Sequence, residues 1–383
     1  MKKIAIFSTS RADFGLFEAL LRECERVKYS YYLFLGGMHT KEEFGKSIND
    51  AKKFEITETF DFLLNEDTSK SKSKSLGIES FALSEIFSKY SFDFVLILGD
   101  RFELLPIVNT AIIFKKTIVH LHGGEITEGA IDEQIRHMIT KSAHLHFTAC
   151  EDYSNNIKKM GEENWRVHNV GALGLDNILN VSKIKKEELF KELSLDSNQS
   201  VSLCTYHPVT LEYKLSPEKQ VQNLFKALEN YSGQIVLTAP NIDPSYSTLL
   251  KSIKKEIEKN KNISYHKHLG IKKYLSLIKY CDFVIGNSSS GILEVPYFKI
   301  PTINIGDRQK GRIRHKSIID TDYSVESIKI EIGKALDSKF RSSLENMKYK
   351  FGDGHAAERI INVLKNTEIY EKLMRKKLNF SGV

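Results

Sequence analysis

The chain contains no run approaching the roughly 18 consecutive apolar residues that a membrane-spanning helix requires, so no membrane partner is expected. Met1-Lys2-Lys3 is followed by only a few apolar positions before Ser8-Thr9-Ser10-Arg11, too short for a signal peptide. Cysteine is sparse: Cys24, Cys150, Cys204 and Cys281 are far apart and form no paired motif. That argues against a disulfide framework or a zinc module and fits free thiols in a reducing cytoplasm. No basic segment is interleaved with aromatics, and the net charge of +7 is spread through lysine-rich stretches and Arg375-Lys376-Lys377. A nucleic-acid partner is therefore not expected, whereas a cleft for a phosphorylated small molecule fits the charge. A P-loop is missing too: Gly45-Lys46-Ser47 has its ending, but Thr40 stands where its first glycine belongs.

What remains is an ordinary globular composition, 41% hydrophobic and 27% charged, in 383 residues. That length exceeds what one core normally serves, so two domains are expected. Most of the chemistry is concentrated in residues 93–137. Phe94-Val95-Leu96-Ile97-Leu98 stops at Gly99-Asp100-Arg101, and Thr117-Ile118-Val119-His120-Leu121-His122 stops at Gly123-Gly124-Glu125. Short β-rich runs ending in glycine, a helix length apart, predict parallel strands joined by a crossover helix over 104–114. Ligands collect beyond the carboxyl ends of such strands, where Asp100, Arg101 and Glu125 fall and where Asp132-Glu133 follow. Asp100 alone reads equally well as a helix cap; the recurrence of acids favours a site. His120 and His122, two apart, would share a strand face, but no third or fourth ligand stands at metal-site spacing, and no metal is expected.

Ile4-Ala5-Ile6-Phe7 leads through a small polar loop to a helix, with Arg11 at the loop tip either gripping a phosphate or facing solvent. Tyr32-Leu33-Phe34-Leu35 is a second strand, and a helix is expected from Phe44. The Ser/Lys-rich segment 67–74 reads as a mobile loop. Leu145-His146-Phe147-Thr148-Ala149 and Val167-His168-Asn169-Val170-Gly171 complete six strand-like runs of a first doubly wound domain. In the second half, a strand over 201–206 ends in His207-Pro208-Val209-Thr210, placing His207 either as an acid/base or as a cap. Thr238 is followed by Ala239-Pro240-Asn241-Ile242-Asp243-Pro244. Residues 281–285 run into Gly286-Asn287-Ser288-Ser289-Ser290-Gly291, which reads either as a well-capped ordinary helix or, the favoured reading, as a phosphate cradle in which small residues expose amides, serines donate hydroxyls and a following helix points its positive end at the anion. Glu294 is placed to accept from ribose hydroxyls, and Arg308 follows the next strand. Residues 355–377 carry helical periodicity.

Taken together, these segments resemble the hydrolysing UDP-N-acetylglucosamine 2-epimerases of sialic and legionaminic acid biosynthesis. The likeness rests on Ser10-Arg11-Ala12-Asp13-Phe14-Gly15, Gly99-Asp100-Arg101, Gly123-Gly124-Glu125, Ile131-Asp132-Glu133 with Ile135-Arg136-His137, His207-Pro208-Val209-Thr210, Pro240-Asn241-Ile242-Asp243, Gly286-Asn287-Ser288-Ser289 and Gly306-Asp307-Arg308-Gln309-Lys310-Gly311. The first loop differs from the Gly-Thr-Arg-Pro-Glu loop of the non-hydrolysing enzymes. The resemblance implies an α/β fold of two Rossmann-like doubly wound domains, GT-B-like, with the ligand in the interdomain cleft. The expected domains are 1–175 and 176–364, with a C-terminal helix over about 365–383 returning to the first. It further implies a cytoplasmic homo-oligomer that uses no cofactor and converts UDP-N-acetylglucosamine to N-acetylmannosamine by anti elimination of UDP and addition of water. Carried over by position, Asp100, Glu125, Asp132 and His207 are the acid/base candidates. Arg11, Arg101, His207, Asn241, Ser288, Ser289, Glu294 and Arg308 are the nucleotide contacts. Gly15 departs from the animal enzyme, which has a UDP-touching serine there. A sister enzyme acting on UDP- or GDP-N,N'-diacetylbacillosamine shares every motif, and a GT-B glycosyltransferase is the reading from another class.

Overall fold

In the computed structural model the described residues are 2–41, 47–64, 66, 68–128, 130–209, 215–240, 246–260, 262–377 and 379. The helix expected from Phe44, and the expectations for Thr210 and Asn241, fall outside the described residues. The chain forms two compact units: Met1–Glu125 with Asp132–Asn180 and Phe351–Val383, and Ile126–Ile131 with Val181–Lys350.

The first unit is built on a parallel sheet of β1 (Ile4–Ser8), β2 (Tyr31–Gly36), β3 (Glu58–Phe60), β4 (Phe94–Leu98), β5 (Thr117–Leu121), β6 (Leu145–Thr148) and β7 (Val167–Asn169), in the order β3-β2-β1-β4-β5-β6-β7. The second has β8 (Val201–Thr205), β9 (Gln234–Thr238), β10 (Ile263–His266), β11 (Val284–Gly286), β12 (Thr302–Ile305) and β13 (Ile318–Thr321), in the order β10-β9-β8-β11-β12-β13. The central strands β1, β4, β5 and β8 are buried at every position because helices cover both faces of a parallel sheet. That is why they stand out as apolar runs. The hydrophobic pattern did not single out β3, β10 or β13. All three are sheet edges and only partly buried, so nothing requires them to be continuously apolar. In each sheet the order reverses beside the first strand, at β1/β4 and at β8/β11, and those strand ends are where such folds bind ligands.

Two expectations about segments need correction. Residues 69–74 are the opening turns of the helix Ser69–Lys89 rather than a mobile loop, with Thr68 Oγ1 capping the Ser71 amide at 3.1 Å. Ser71, Ser75, Glu79 and Leu83 recur every fourth residue on its buried face, so small serines face inward while the intervening lysines stay on the outside. The domain boundary also shifts. Residues 176–180 and 351–364 belong to the first unit, since Asp176 accepts from the Ala356 and Ala357 amides at 3.1 and 2.8 Å and caps the helix Ala356–Asn366. That helix buries Ile360, Ile361 and Leu364 in the first core. Beyond it, the fully buried Arg166 donates to the carbonyls of Lys372, Leu373 and Arg375, tying that segment to the first unit. Among the described residues no helix is long and apolar enough to cross a membrane.

On the same buried face, neither carboxyl oxygen of Glu79 has a hydrogen-bond partner. Burial pushes its carboxyl well above the ordinary range, and the nearby charge of Glu103 adds to the effect. A carboxyl that stays protonated when folded but ionises when unfolded makes the fold lose stability as pH climbs above about 4. Glu79→Met removes the orphaned polar atoms at similar volume. In denaturant titrations it should gain about 1–3 kcal/mol at neutral pH and lose part of the wild-type decline with pH. Equal stability at pH 5 and pH 8 in both proteins would contradict this account.

Candidate active site

The loop after β1 is organised by Asp13. Its carboxylate accepts from Ser8 Oγ at 2.6 Å and from the Thr9 and Ser10 amides at 3.1 Å each, while Ser10 Oγ caps the Asp13 amide. The helix therefore begins at Arg11, which sits in its first turn rather than on a loop tip.

Beyond β4 and β5 the carboxylates are gathered by Arg136, a fully buried guanidinium on the helix Asp132–Ser142. Its Nη2 pairs with Asp100, and its Nη1 donates at 2.9 Å both to the Glu125 carbonyl and to Glu133 Oε2. One cation thus ties together the ends of two strands and the start of a helix. Asp132 is the first residue of that helix, four positions before Arg136. Glu133 also accepts from His137 Nε2 at 3.0 Å. Sequence reasoning quoted Arg136 but gave it no role; the available signal was its spacing, three and four residues after acids on one helical face. Arg101 reaches the buried Glu103 at 2.7 Å.

The two strand histidines do not share a face as expected. β5 ends at Leu121, and His122 adopts φ +62°, a left-handed conformation costing a non-glycine residue roughly 1–2 kcal/mol. His120 bonds the Gly99 carbonyl through Nε2 at 2.8 Å and Thr140 Oγ1 through Nδ1 at 3.1 Å. Burial pushes its imidazole down to about 3, so it is neutral and its Nε2–H donates to the carbonyl just before Asp100. His122 instead meets Glu125, Nδ1 to Oε1, at 2.7 Å. Gly124, at φ +76°, lets the loop pass the Tyr153 carbonyl, which any β-carbon would strike.

In the second unit, Asn287 joins the ends of β8 and β11. Its Oδ1 accepts the His207 amide at 2.7 Å and its Nδ2 donates to the His207 carbonyl at 2.9 Å, fixing the backbone of a buried histidine. The Asn287 carbonyl accepts from Arg308 Nη1 at 3.3 Å and from Gln309 Nε2 at 3.0 Å. Gly286, at φ +136°, permits this approach, because a β-carbon there would run into the Thr205 carbonyl oxygen. His207, Ser288, Ser289 and Arg308 are thereby brought to one edge of the sheet. The helix after the serines is a single turn, Ser290–Leu293, followed by the 3₁₀ turn Val295–Phe298, and Ser289 makes no side-chain cap to it. The expected helix dipole is therefore short. Glu294 accepts from Ser290 Oγ, which in turn accepts from Tyr274 Oη at 2.7 Å.

Two Rossmann-like doubly wound sheets in one chain define the α/β, GT-B-like class. The chain belongs to the UDP-N-acetylglucosamine 2-epimerase family, whose profile matches residues 22–365. It is 37% identical over 325 residues, 84% of each chain, to the GDP/UDP-N,N'-diacetylbacillosamine 2-epimerase (hydrolyzing) of Campylobacter jejuni. Over 381 residues, 98% of this chain and 99% of the other, it is 30% identical to the UDP-N,N'-diacetylbacillosamine 2-epimerase (hydrolyzing) of Legionella pneumophila. The UDP-N-acetylglucosamine 2-epimerase of Methanocaldococcus jannaschii, solved with UDP-N-acetylglucosamine and UDP, shares the fold at a TM-score of 0.79 and 19% identity, covering 95% of this chain and 100% of the other.

Because Arg136 has no exposure, replacing it strands the carboxylates it serves. Arg136→Met should lower the unfolding free energy by about 3–5 kcal/mol, measured by denaturant titration, since breaking a buried pair leaves an uncompensated charge. A loss under about 1 kcal/mol would mean that the cluster does not depend on this cation.

Proposed function

We propose that this chain hydrolyses nucleotide-linked N,N'-diacetylbacillosamine with inversion at C2, releasing the nucleoside diphosphate and the free 2-epimeric sugar. The reading is carried by the 37% identity to the Campylobacter enzyme across 84% of each chain. It takes one of the two sugars that the sequence left open and sets it ahead of UDP-N-acetylglucosamine. The sugar-facing chemistry is the same for both, because bond changes occur only at C1 and C2.

In the elimination, the C2–H pair becomes the C1–C2 double bond, the C1–O pair leaves with the diphosphate, and the proton passes to a carboxylate. Water then returns a proton to C2 on the opposite face and a hydroxyl to C1. Asp100, Glu125 and Asp132 are the proton-transfer groups in this reading. The arrangement around Arg136, which presents Asp100 and Glu125 at neighbouring strand ends, is what supports them. A C2 hydrogen is barely acidic, so leaving-group departure runs ahead of proton removal and flanking carboxylates stabilise the positive charge that develops on the ring. Ser288, Ser289, Arg308 and His207 would take the diphosphate, with Arg11, Arg101, Asn241 and Glu294 completing the nucleotide contacts.

Incubation with UDP-N-acetylglucosamine and with UDP- and GDP-N,N'-diacetylbacillosamine, in buffer free of sugar acceptor, tests the assignment. Fastest nucleotide release from a diacetylbacillosamine donor, with free sugar as product, is expected. Faster release from UDP-N-acetylglucosamine would move the assignment to that sugar, and sugar transfer only in the presence of an acceptor would make the chain a glycosyltransferase. Asp100→Asn and Glu125→Gln should each lower turnover at least about a hundredfold with little change in nucleotide binding. Arg308→Ala should mainly weaken nucleotide affinity, as read by calorimetry.

A further inference from the structure

We infer that Tyr274 is a positioning residue for the nucleotide's ribose: through Ser290 it fixes the direction in which Glu294 presents its carboxylate to the sugar hydroxyls. This role rests on the reading of Glu294 as a nucleotide contact. The helix Ser290–Leu293 is a single turn, too short to be stable alone, and side chains from elsewhere in the second unit hold it. Thr302 Oγ1 donates to the Gly291 carbonyl at 2.9 Å, and Tyr349 Oη donates to the Leu293 carbonyl at 2.6 Å. Those two bonds place the backbone of the turn.

Tyr274, on the helix Gly270–Ile278, acts on side chains instead. Its Oη donates to Ser290 Oγ at 2.7 Å, and Ser290 Oγ donates to Glu294 Oε2. A serine hydroxyl has one proton, so a phenol that donates to its oxygen leaves the serine's own proton for the carboxylate. Burial, and to a lesser extent the neighbouring charge of Glu294, push the Tyr274 phenol well above its ordinary range. The phenol therefore keeps its proton, and the two hydroxyls run one way, from Tyr274 to Glu294. A glutamate side chain loses rotamer freedom when it binds a ligand, and fixing one of its oxygens beforehand removes part of that cost. Ribose hydroxyls then meet a carboxylate already aimed. Phenylalanine at 274 would keep the ring and lose only the hydroxyl that starts the relay.

Calorimetry of the full chain with UDP, GDP and their 2',3'-dideoxy counterparts tests the role, because only the first two offer ribose hydroxyls. Wild type should bind the better of UDP and GDP at least about tenfold more tightly than its dideoxy counterpart. Tyr274→Phe should weaken that nucleotide about three- to tenfold while changing the dideoxy affinity less than about twofold. Ser290→Ala, which removes the middle of the relay, should cost about as much, and the double variant should lose little more than either single one. Melting curves confirm that the variants are folded. Unchanged affinity in Tyr274→Phe, an equal loss for hydroxylated and dideoxy forms, or additive losses in the double variant each overturn the role. Wild type that binds both forms alike overturns it as well, by removing the ribose contact while leaving nucleotide binding intact. If wild type binds none of the four, the nucleotide reading itself fails and the role falls with it.

Discussion

The first unit's strand ends are held together by one buried guanidinium. Arg136 is buried away from solvent, and its two terminal nitrogens meet oxygens from Asp100, the Glu125 carbonyl and Glu133. A charge taken out of water depends on such pairing. The need to satisfy Arg136 therefore sets where the loops after β4 and β5 come to rest. Two carboxylate-bearing residues from separate strands reach neighbouring positions because a third residue, on a helix, cannot be left unpaired.

Backbone conformation refines what this cation begins. His120 is kept neutral by burial and clamps the Gly99 carbonyl, so the residue preceding Asp100 cannot drift. Gly124 lets the next loop pass Tyr153 at a distance no side chain would allow. His122 turns out of the strand to face Glu125. These devices act over one or two residues, and each turns the fold's coarse placement of a loop into a defined direction for a carboxylate.

The second unit meets the same problem with a neutral amide at its centre. Asn287 uses both ends of its amide to pin the His207 backbone and offers its own carbonyl to Arg308 and Gln309. A neutral amide suffices here if, as proposed, the groups it orders take the diphosphate. A fixed carboxylate in its place would repel the diphosphate that the proposed reaction must release.

The sequence by itself determined the class and the loops that matter. Buried parallel strands read as apolar runs, glycines mark their ends, and acids and serines after those glycines mark the loops of the proposed site, each within a few residues of its strand. The order of motifs was also enough to resemble the family to which the chain belongs. Only the tertiary structure decided that Arg136 joins Asp100 across 36 positions, that His122 and His120 part company, and that Asp176 draws residues 351–364 into the first unit. It also decided that a serine- and lysine-rich stretch is helical, because its serines face a core supplied by other segments. Patterns of period two or 3.6 are local, whereas pairing between distant residues is set by burial and charge balance and leaves no mark on neighbouring letters.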